Sequence, residues 1–272
     1  MGAMTERVSI NIDDRGIADV RMNRPDKRNA LDGAMFAALR DAGARLQREP
    51  GVRAVVLSGE GESFCAGLDF SSFQSMAGGE RVDADGPAML TPGGITHLGQ
   101  QVAWVWQEVP VPVIAAVHGH ALGGGIQIAL GADIRFVHPD TQLAVREVHW
   151  GLVPDMTGTL FLSRLVGPDV AKELTFTARI VSGREAGELG LATHVTETPL
   201  DDAMALAAEI AQRSPEAVRG VKALFNRLAN AGAAEQFAEE RRVISSLIGT
   251  PNQVESVQAN FERRPPKFAD LA

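Results

Sequence analysis

The sequence predicts an α/β protein whose core is followed by a helical C-terminal extension. Three observations carry this. The first two-thirds of the chain alternate strand-like and helix-like segments. Two of those segments, AVVLSG (54–59) and VIAAVHG (113–119), are continuously apolar, the pattern of strands buried on both faces of a parallel sheet. After Pro154 every patterned segment has helical period, as in a domain that adds helices to a finished sheet. A chain of 272 residues suits one such domain, or one domain with an appendage.

The elements follow in order. VSINIDDRGIADVRMN reads as two short alternating strands about a polar turn at Asp13–Gly16, and Pro25–Asn29 as a polar loop. Asp32 suits the cap of a helix running to Glu49, with Met35, Phe36, Leu39 and Leu46 on one face. Buried strand 54–59 leads into a loop, ESFCAGLDF, and a Gly-, Ala- and Asp-rich surface segment at 75–94. A helix from about 95 to 108, buried strand 113–119, a glycine-rich turn with its helix, and strand IRFV (134–137) come next. Helices are expected at 157–166, 169–177, 183–189, 200–213, 215–229, 235–248 and 251–261. Pro168, Pro199, Pro215 and Pro251 stand near predicted starts, where the missing N–H costs nothing. With Met1–Ala3 set aside, the core is expected over 4–199 and the helical region over 200–272.

Composition narrows the function. Hydrophobic residues make up 45% of the chain and charged residues 22%, enough for a core and too apolar for wholesale disorder. A net charge of −8 argues against a nucleic-acid partner. Cys65 is the single cysteine, so no intrachain disulfide forms, which suits a reducing, cytoplasmic location. The first residues lack the apolar run of a secretory signal, and no stretch reaches the roughly 18 apolar residues of a membrane span.

The stretch HGHALGGGIQIALGA (118–132) places three glycines where a buried strand gives way to an apolar helix. The first N–H groups of a helix lack intrahelical partners and sit at the positive end of its dipole. Glycine lets a ligand come close to them. A P-loop is excluded, because no lysine follows, and a dinucleotide fingerprint is excluded, because His120, Ala121 and Leu122 break its spacing. Close helix–strand packing is the alternative use of these glycines. A second site of the same kind, FCAGLDF (64–70), also follows a buried strand. Two isolated N–H groups aimed at one point make an oxyanion hole, in which a single donor is worth about 3 kcal/mol of barrier.

Taken together, FCAGLD, PVIAAVHGHALGGG, GADIRF, NRPDKRNAL (23–31), REVHWGLVPDMTGTLFLSRLVG (146–167) and GLATHV (190–195) resemble the crotonase superfamily of enoyl-CoA hydratases and isomerases over about residues 5–265. The resemblance implies a crotonase-like spiral of ββα turns and a helical C-terminal region that assembles homotrimers, often as dimers of trimers. It implies a coenzyme A thioester as substrate and no separate cofactor. It assigns the oxyanion donors to the backbone N–H groups of Leu68 and Gly124. Ala66 would lie by the adenine, Lys27 and Arg28 near the nucleotide phosphates, and Gly123 against the bound thioester. A solvated turn is the alternative reading of Lys27 and Arg28.

Acids and bases near the acyl chain decide the reaction. Hydratases of the superfamily carry two glutamates; at those positions this chain has Gln127 and Glu147. Glutamine exchanges no proton near neutral pH, though its amide can hold a water or polarise a carbonyl. Glu147 alone suits the proton shuttle of the single-glutamate enoyl-CoA isomerases. The E-V-x-x-G-L-x-x-D pattern over 147–155 is similar to that of the dienoyl-CoA isomerases, in which two carboxylates move a proton along a conjugated system. Gln127 departs from that subgroup, which has Asp there. The Asp155 position also serves as nucleophile in the more distant aryl-CoA dehalogenases. Two carboxylates at one apolar pocket push their pKa values apart.

The expected activity is therefore double-bond isomerisation of an enoyl-CoA. Hydration of a 2-enoyl-CoA is the alternative, followed by acyl-CoA binding without catalysis. A metal-dependent hydrolase would need a ligand set; His118, His120 and His149 form H-x-H and E-x-H patterns but no H-E-x-x-H, and no metal is expected. His149 and Trp150 are expected at the acyl pocket, and Cys65 as an inert filler. Structural alternatives exist for the acids: Glu147 paired with Arg146 or Arg135, and Asp155 capping the 157–166 helix. For Gln127 the choice lies between an inert buried amide and a positioning role.

Overall fold

A computed structural model describes residues 6–69, 96–150, 152–228, 251–252, 255 and 262–270. The chain opens with an antiparallel pair, β1 (Val8–Ile12) and β2 (Ile17–Met22). Asp13 shapes the turn between them by accepting the N–H groups of Arg15 and Ile17. β3 (Ala54–Gly59), β4 (Val113–Val117), β6 (Ile134–Val137) and β9 (His194–Val195) then add in parallel, giving the order β1-β2-β3-β4-β6-β9. Both faces of this sheet are covered. Val55 and Leu57 point into the main core with helices α1 (Gly33–Leu46) and α2 (Leu98–Glu108). Their neighbours Ala54 and Val56 point the other way, with Ile114, Ala116 and Phe136, onto Ala203 and Ala207 of α7 (Pro199–Ala211). Small side chains on both sides of that contact let the helix lie close.

A second sheet, absent from the predicted elements, is made of very short strands: β5 (His120–Leu122), β7 (Gln142–Ala144) and β8 (Val181–Ser182). β5 and β7 run parallel, and a parallel bridge from Cys65 to Ala121 adds one more rung. The repeating unit is thus a strand in the large sheet, a short strand in the small one, then a helix. β4, β5 and α3 (Gly124–Gly131) form one such turn; β6, β7 and α4 (Gly158–Val166) form the next. This is the crotonase-like ββα spiral.

Most helix ends match the sequence, and the differences have local causes. α1 stops at Leu46 rather than Glu49, since Pro50 disfavours helical geometry in the residue before it. Asp32 caps α1 as expected, accepting the Met35 N–H at 2.8 Å. α2 starts at Leu98, where His97 Nδ1 accepts the Gly99 N–H and Gln100 reaches back to His97. α5 (Pro168–Thr177), α6 (Gly183–Leu189) and α8 (Pro215–Leu228) fall within one residue of expectation, with Pro168, Pro199 and Pro215 each opening a helix. Pro25–Asn29 is a 3-10 turn followed by two left-handed residues, not an open loop. The 75–94 segment and the 235–248 helix lie outside the described residues, as does most of 251–261. No described helix is long and apolar enough to cross a membrane.

Candidate active site

The spiral's register builds the site. Cys65 and Ala121 are bridged in parallel, so Leu68 and Gly124, each three residues further on, emerge side by side. The second strand layer then pairs Leu122 with Ala144, so Glu147, three residues beyond Ala144, follows one rung above the glycine turn. A Cβ added to Gly67 would stand 3.8 Å from the Gly124 nitrogen, and one added to Gly123 would stand 3.5 Å from Glu147 Oε1. Residues far apart in sequence are thus stacked by strands of two or three residues.

Both N–H groups are left over by the backbone. The Leu31–Leu68 bridge uses the Gly67 carbonyl and the Asp69 N–H, which skips the Leu68 N–H. Gly124 is the first residue of α3 and its N–H precedes the helical ladder. Among the described residues neither N–H donates to a backbone acceptor. The glycines of the turn serve packing and conformation together. Gly123 takes φ +53°, ψ −118°, a conformation open in practice to glycine, while its own N–H is spent on the Ala144 carbonyl at 2.9 Å. Gly125 lies against the Cys65 carbonyl, where a Cβ would come to 2.3 Å. Close packing of these glycines therefore leaves the Gly124 N–H unused by the backbone.

Gln127 is fully buried. Its Oε1 accepts two backbone N–H groups, from Met156 at 2.9 Å and Gly158 at 3.0 Å. Its Nε2 donates to Glu147 Oε1 at 2.5 Å. The other carboxylate oxygen, Glu147 Oε2, is buried with no hydrogen-bond partner among the described residues. Burial pushes the Glu147 carboxyl above its ordinary range; the hydrogen bond from Gln127 opposes this and the charge of Asp155 adds to it. The ion-pair alternatives for Glu147 fail: Arg146 donates to the Ala178 carbonyl, and Arg135 to the carbonyls of Leu191 and Ala132.

Asp155 is exposed, near enough to Glu147 for its charge to act there. It is not the cap of α4. That position is held by Thr157, at φ +69° and with no side-chain capping bond. Met156, between them, was not singled out by the sequence. Its Sδ lies over the glycine turn, 2.9 Å from where a Cβ on Gly124 would stand, and Leu31 covers the same point. Only its place inside the 147–158 motif could have signalled it.

The remaining predicted residues fall in two groups. Lys27 and Arg28 are exposed, and the Ala66 N–H donates to the Arg28 carbonyl at 2.9 Å, so these three share one rim. His120 joins them: burial, then the Arg28 charge, hold its imidazole below the usual range. His118 Nε2 contacts the Gly61 carbonyl and His120 Nδ1 the Ser63 hydroxyl, both at 2.9 Å. His149 is exposed on the 3-10 turn Glu147–Trp150; the Trp150 side chain lies outside the described residues. Cys65 is buried, its thiol pushed up to about 12 by that burial. Trp106 is core, and Trp104 stacks on Phe161.

Comparison with known proteins agrees with this geometry. A family model described as enoyl-CoA hydratase/isomerase matches residues 13–271. The human Delta(3,5)-Delta(2,4)-dienoyl-CoA isomerase is 33% identical over 263 residues, covering 95% of this chain and 80% of that protein. The human enoyl-CoA hydratase domain-containing protein 2 is 34% identical over 265 residues, covering 94% and 86%. The crystal structure of an enoyl-CoA hydratase from Mycobacterium tuberculosis H37Rv superposes with a TM-score of 0.83 at 32% identity, covering 97% of this chain and 99% of that one. With two leftover N–H groups side by side, a half-buried glutamate one rung above them and matches along nearly its whole length, the chain belongs to the enoyl-CoA hydratase/isomerase family, within the crotonase superfamily.

Proposed function

We propose that this enzyme shifts the carbon–carbon double bond of an enoyl-CoA, in the manner of an enoyl- or dienoyl-CoA isomerase. One observation carries the reading: Gln127 has its oxygen doubly occupied, its amide turned to Glu147 and no proton to exchange, while Glu147 keeps one buried, unpartnered oxygen. The site thus offers one half-buried glutamate where two-glutamate hydration needs a pair.

In the proposed reaction, Glu147 Oε2 takes a proton from the carbon next to the thioester carbonyl. The electrons of that C–H bond pass into the conjugated system, and the thioester oxygen gains the negative charge. The N–H groups of Leu68 and Gly124 stabilise it. Return of the proton to the far end of the system restores the thioester and leaves the double bond moved. Glu147 delivers it to the nearer carbon of a 3-enoyl-CoA; for the more distant carbon of a dienoyl-CoA a protonated Asp155 gives its own proton instead, and Asp155 then regains one from solvent while Glu147 releases the one it took. A carboxyl raised by burial suits a group that must accept a proton and give it back. Every step uses protein groups, the thioester and solvent protons alone.

For binding, we assign Ala66 to the adenine, Lys27 and Arg28 to the nucleotide phosphates, Gly123 to the thioester backbone contact, and His149 and Trp150 to the acyl pocket. We also assign homotrimeric assembly to the C-terminal helices. The support is α8, which exposes Val221, Phe225 and Leu228 beside a groove of about 660 Å³.

The test is product analysis. Given a 3-enoyl-CoA, the enzyme should yield the 2-enoyl-CoA; given a 2-enoyl-CoA, it should form little 3-hydroxyacyl-CoA. Rapid accumulation of hydroxyacyl product would make it a hydratase, and tight acyl-CoA binding with turnover of neither would make it a binder.

A further inference from the structure

Among the described residues, Glu147 Oε2 and Thr157 Oγ1 are buried polar side-chain atoms at the site without hydrogen-bond partners. They sit on two separate segments, the 3-10 turn at 147–150 and the turn 155–158 ahead of α4. Gln127 is bonded to both segments. Its three hydrogen bonds run to Glu147 Oε1, Met156 N and Gly158 N. The amide cannot be reversed: exchanging its ends would point N–H₂ at two N–H donors and a carbonyl at a carboxylate. The residue between the two clamped N–H groups, Thr157, is β-branched and held at φ +69°. A β-branched residue rarely adopts that conformation and costs of the order of 1–3 kcal/mol there, so something must hold it. Two backbone N–H groups converging on one buried oxygen do so.

We propose that Gln127 is a positioning residue that fixes both acids of the site: it pins one oxygen of Glu147, leaving Oε2 as the reactive one, and it clamps the strained turn that carries Asp155. The first half rests on Glu147 being the base assigned above; the second rests on the hydrogen bonds alone. Charged and titratable neighbours of Glu147 leave this role to an amide. Asp155 repels negative charge, Arg146 is engaged with the Ala178 carbonyl, and His149 is exposed.

Two substitutions separate the two halves. In Gln127→Glu an oxygen remains to accept the Met156 and Gly158 N–H groups, but a second oxygen faces Glu147 Oε1 where an N–H donor stood. The two carboxyls must then share a proton. In Gln127→Met both connections go. Three readouts apply: amide hydrogen exchange at Met156 and Gly158, the pH profile of kcat, and the carboxyl ¹³C titration of Glu147. Gln127→Met should lower amide protection of Met156 and Gly158 at least tenfold and kcat at least tenfold, with KM changed less than threefold. Gln127→Glu should keep that protection, move the acidic limb of kcat to higher pH and make Glu147 titrate as one of a coupled pair.

Unchanged amide protection in Gln127→Met would overturn the clamp. An unmoved Glu147 titration in Gln127→Glu would overturn the pin. A residue that only filled core would lower the melting temperature of Gln127→Met and leave the pH profile where it was, which also overturns the proposal. If the parent enzyme isomerises nothing, the amide exchange and the ¹³C titration still decide the inference, while the failure belongs to the assigned reaction.

Discussion

Glu147 is where the physical chemistry of the site is concentrated. Its carboxyl is raised, first by burial and then by the Asp155 charge. Replacing Asp155 by Asn removes that charge, so the acidic limb of the pH–kcat profile should move to lower pH; an unmoved limb would mean that Asp155 does not act on Glu147. The same shift bears on stability. A carboxyl raised in the folded state binds more protons there than in the unfolded chain, so its contribution is full below the ordinary carboxylate pKa and fades as pH rises through the raised value. Glu147→Gln should therefore melt at a higher temperature than the parent at pH 7, with the gap closing near pH 4, while turnover falls at least about 100-fold. Thr157 carries a different burden: a left-handed backbone and a buried hydroxyl without a partner among the described residues. Thr157→Gly should stabilise the fold by about 1 kcal/mol, since glycine adopts that backbone without strain. A clear loss of stability in thermal unfolding would contradict the strain assigned here.

The elements that matter most are the smallest. β5, β7 and the Cys65–Ala121 bridge contribute two or three residues each, and their register alone brings Leu68, Gly124 and Glu147 together. Gly125 packs against the backbone of that stack, so Gly125→Ala, with a Cβ 2.3 Å from the Cys65 carbonyl, must push the layers apart. Activity should fall at least tenfold, with acyl-CoA binding weakened alongside, as kinetics and titration would report. The long elements were legible in the sequence because each carries its own signal: continuous apolar runs for β3 and β4, Asp32 ahead of α1, proline at the start of α5, α7 and α8. The short strands carry none, since a three-residue strand has no period and its partners lie 20 or more residues away. The motif positions of Glu147 and Gln127 could be read from sequence. That they touch could not, nor that Thr157 rather than Asp155 occupies the cap.

On the scale of the whole molecule, the helical region is tied to the spiral by buried contacts. Lys222 of α8 is buried and spends its ammonium on Asp133 at 2.7 Å and on the carbonyls of Trp106 and Val111 at 2.8 and 3.0 Å. Lys222→Met would strand both carbonyls and leave Asp133, which keeps the Val113 N–H, without its counter-charge, and should cost about 3–5 kcal/mol in denaturant unfolding. A loss under about 1 kcal/mol would show that water replaces the ammonium freely. One turn further along the same side of α8, Phe225 is 71% exposed. Phe225→Glu should shift the enzyme towards monomer in analytical ultracentrifugation if that face joins copies, and an unchanged mass would remove α8 from the interface.

The central claim is that Glu147 draws a proton from the carbon beside a thioester held by Leu68 and Gly124. The measurement that meets it most directly is deuterium uptake at that carbon when a 3-enoyl-CoA is incubated in D₂O with the parent and with Glu147→Gln. The parent should place deuterium in the acyl chain, and Glu147→Gln should do so at least about 100-fold more slowly. Exchange in Glu147→Gln within tenfold of the parent would contradict the account.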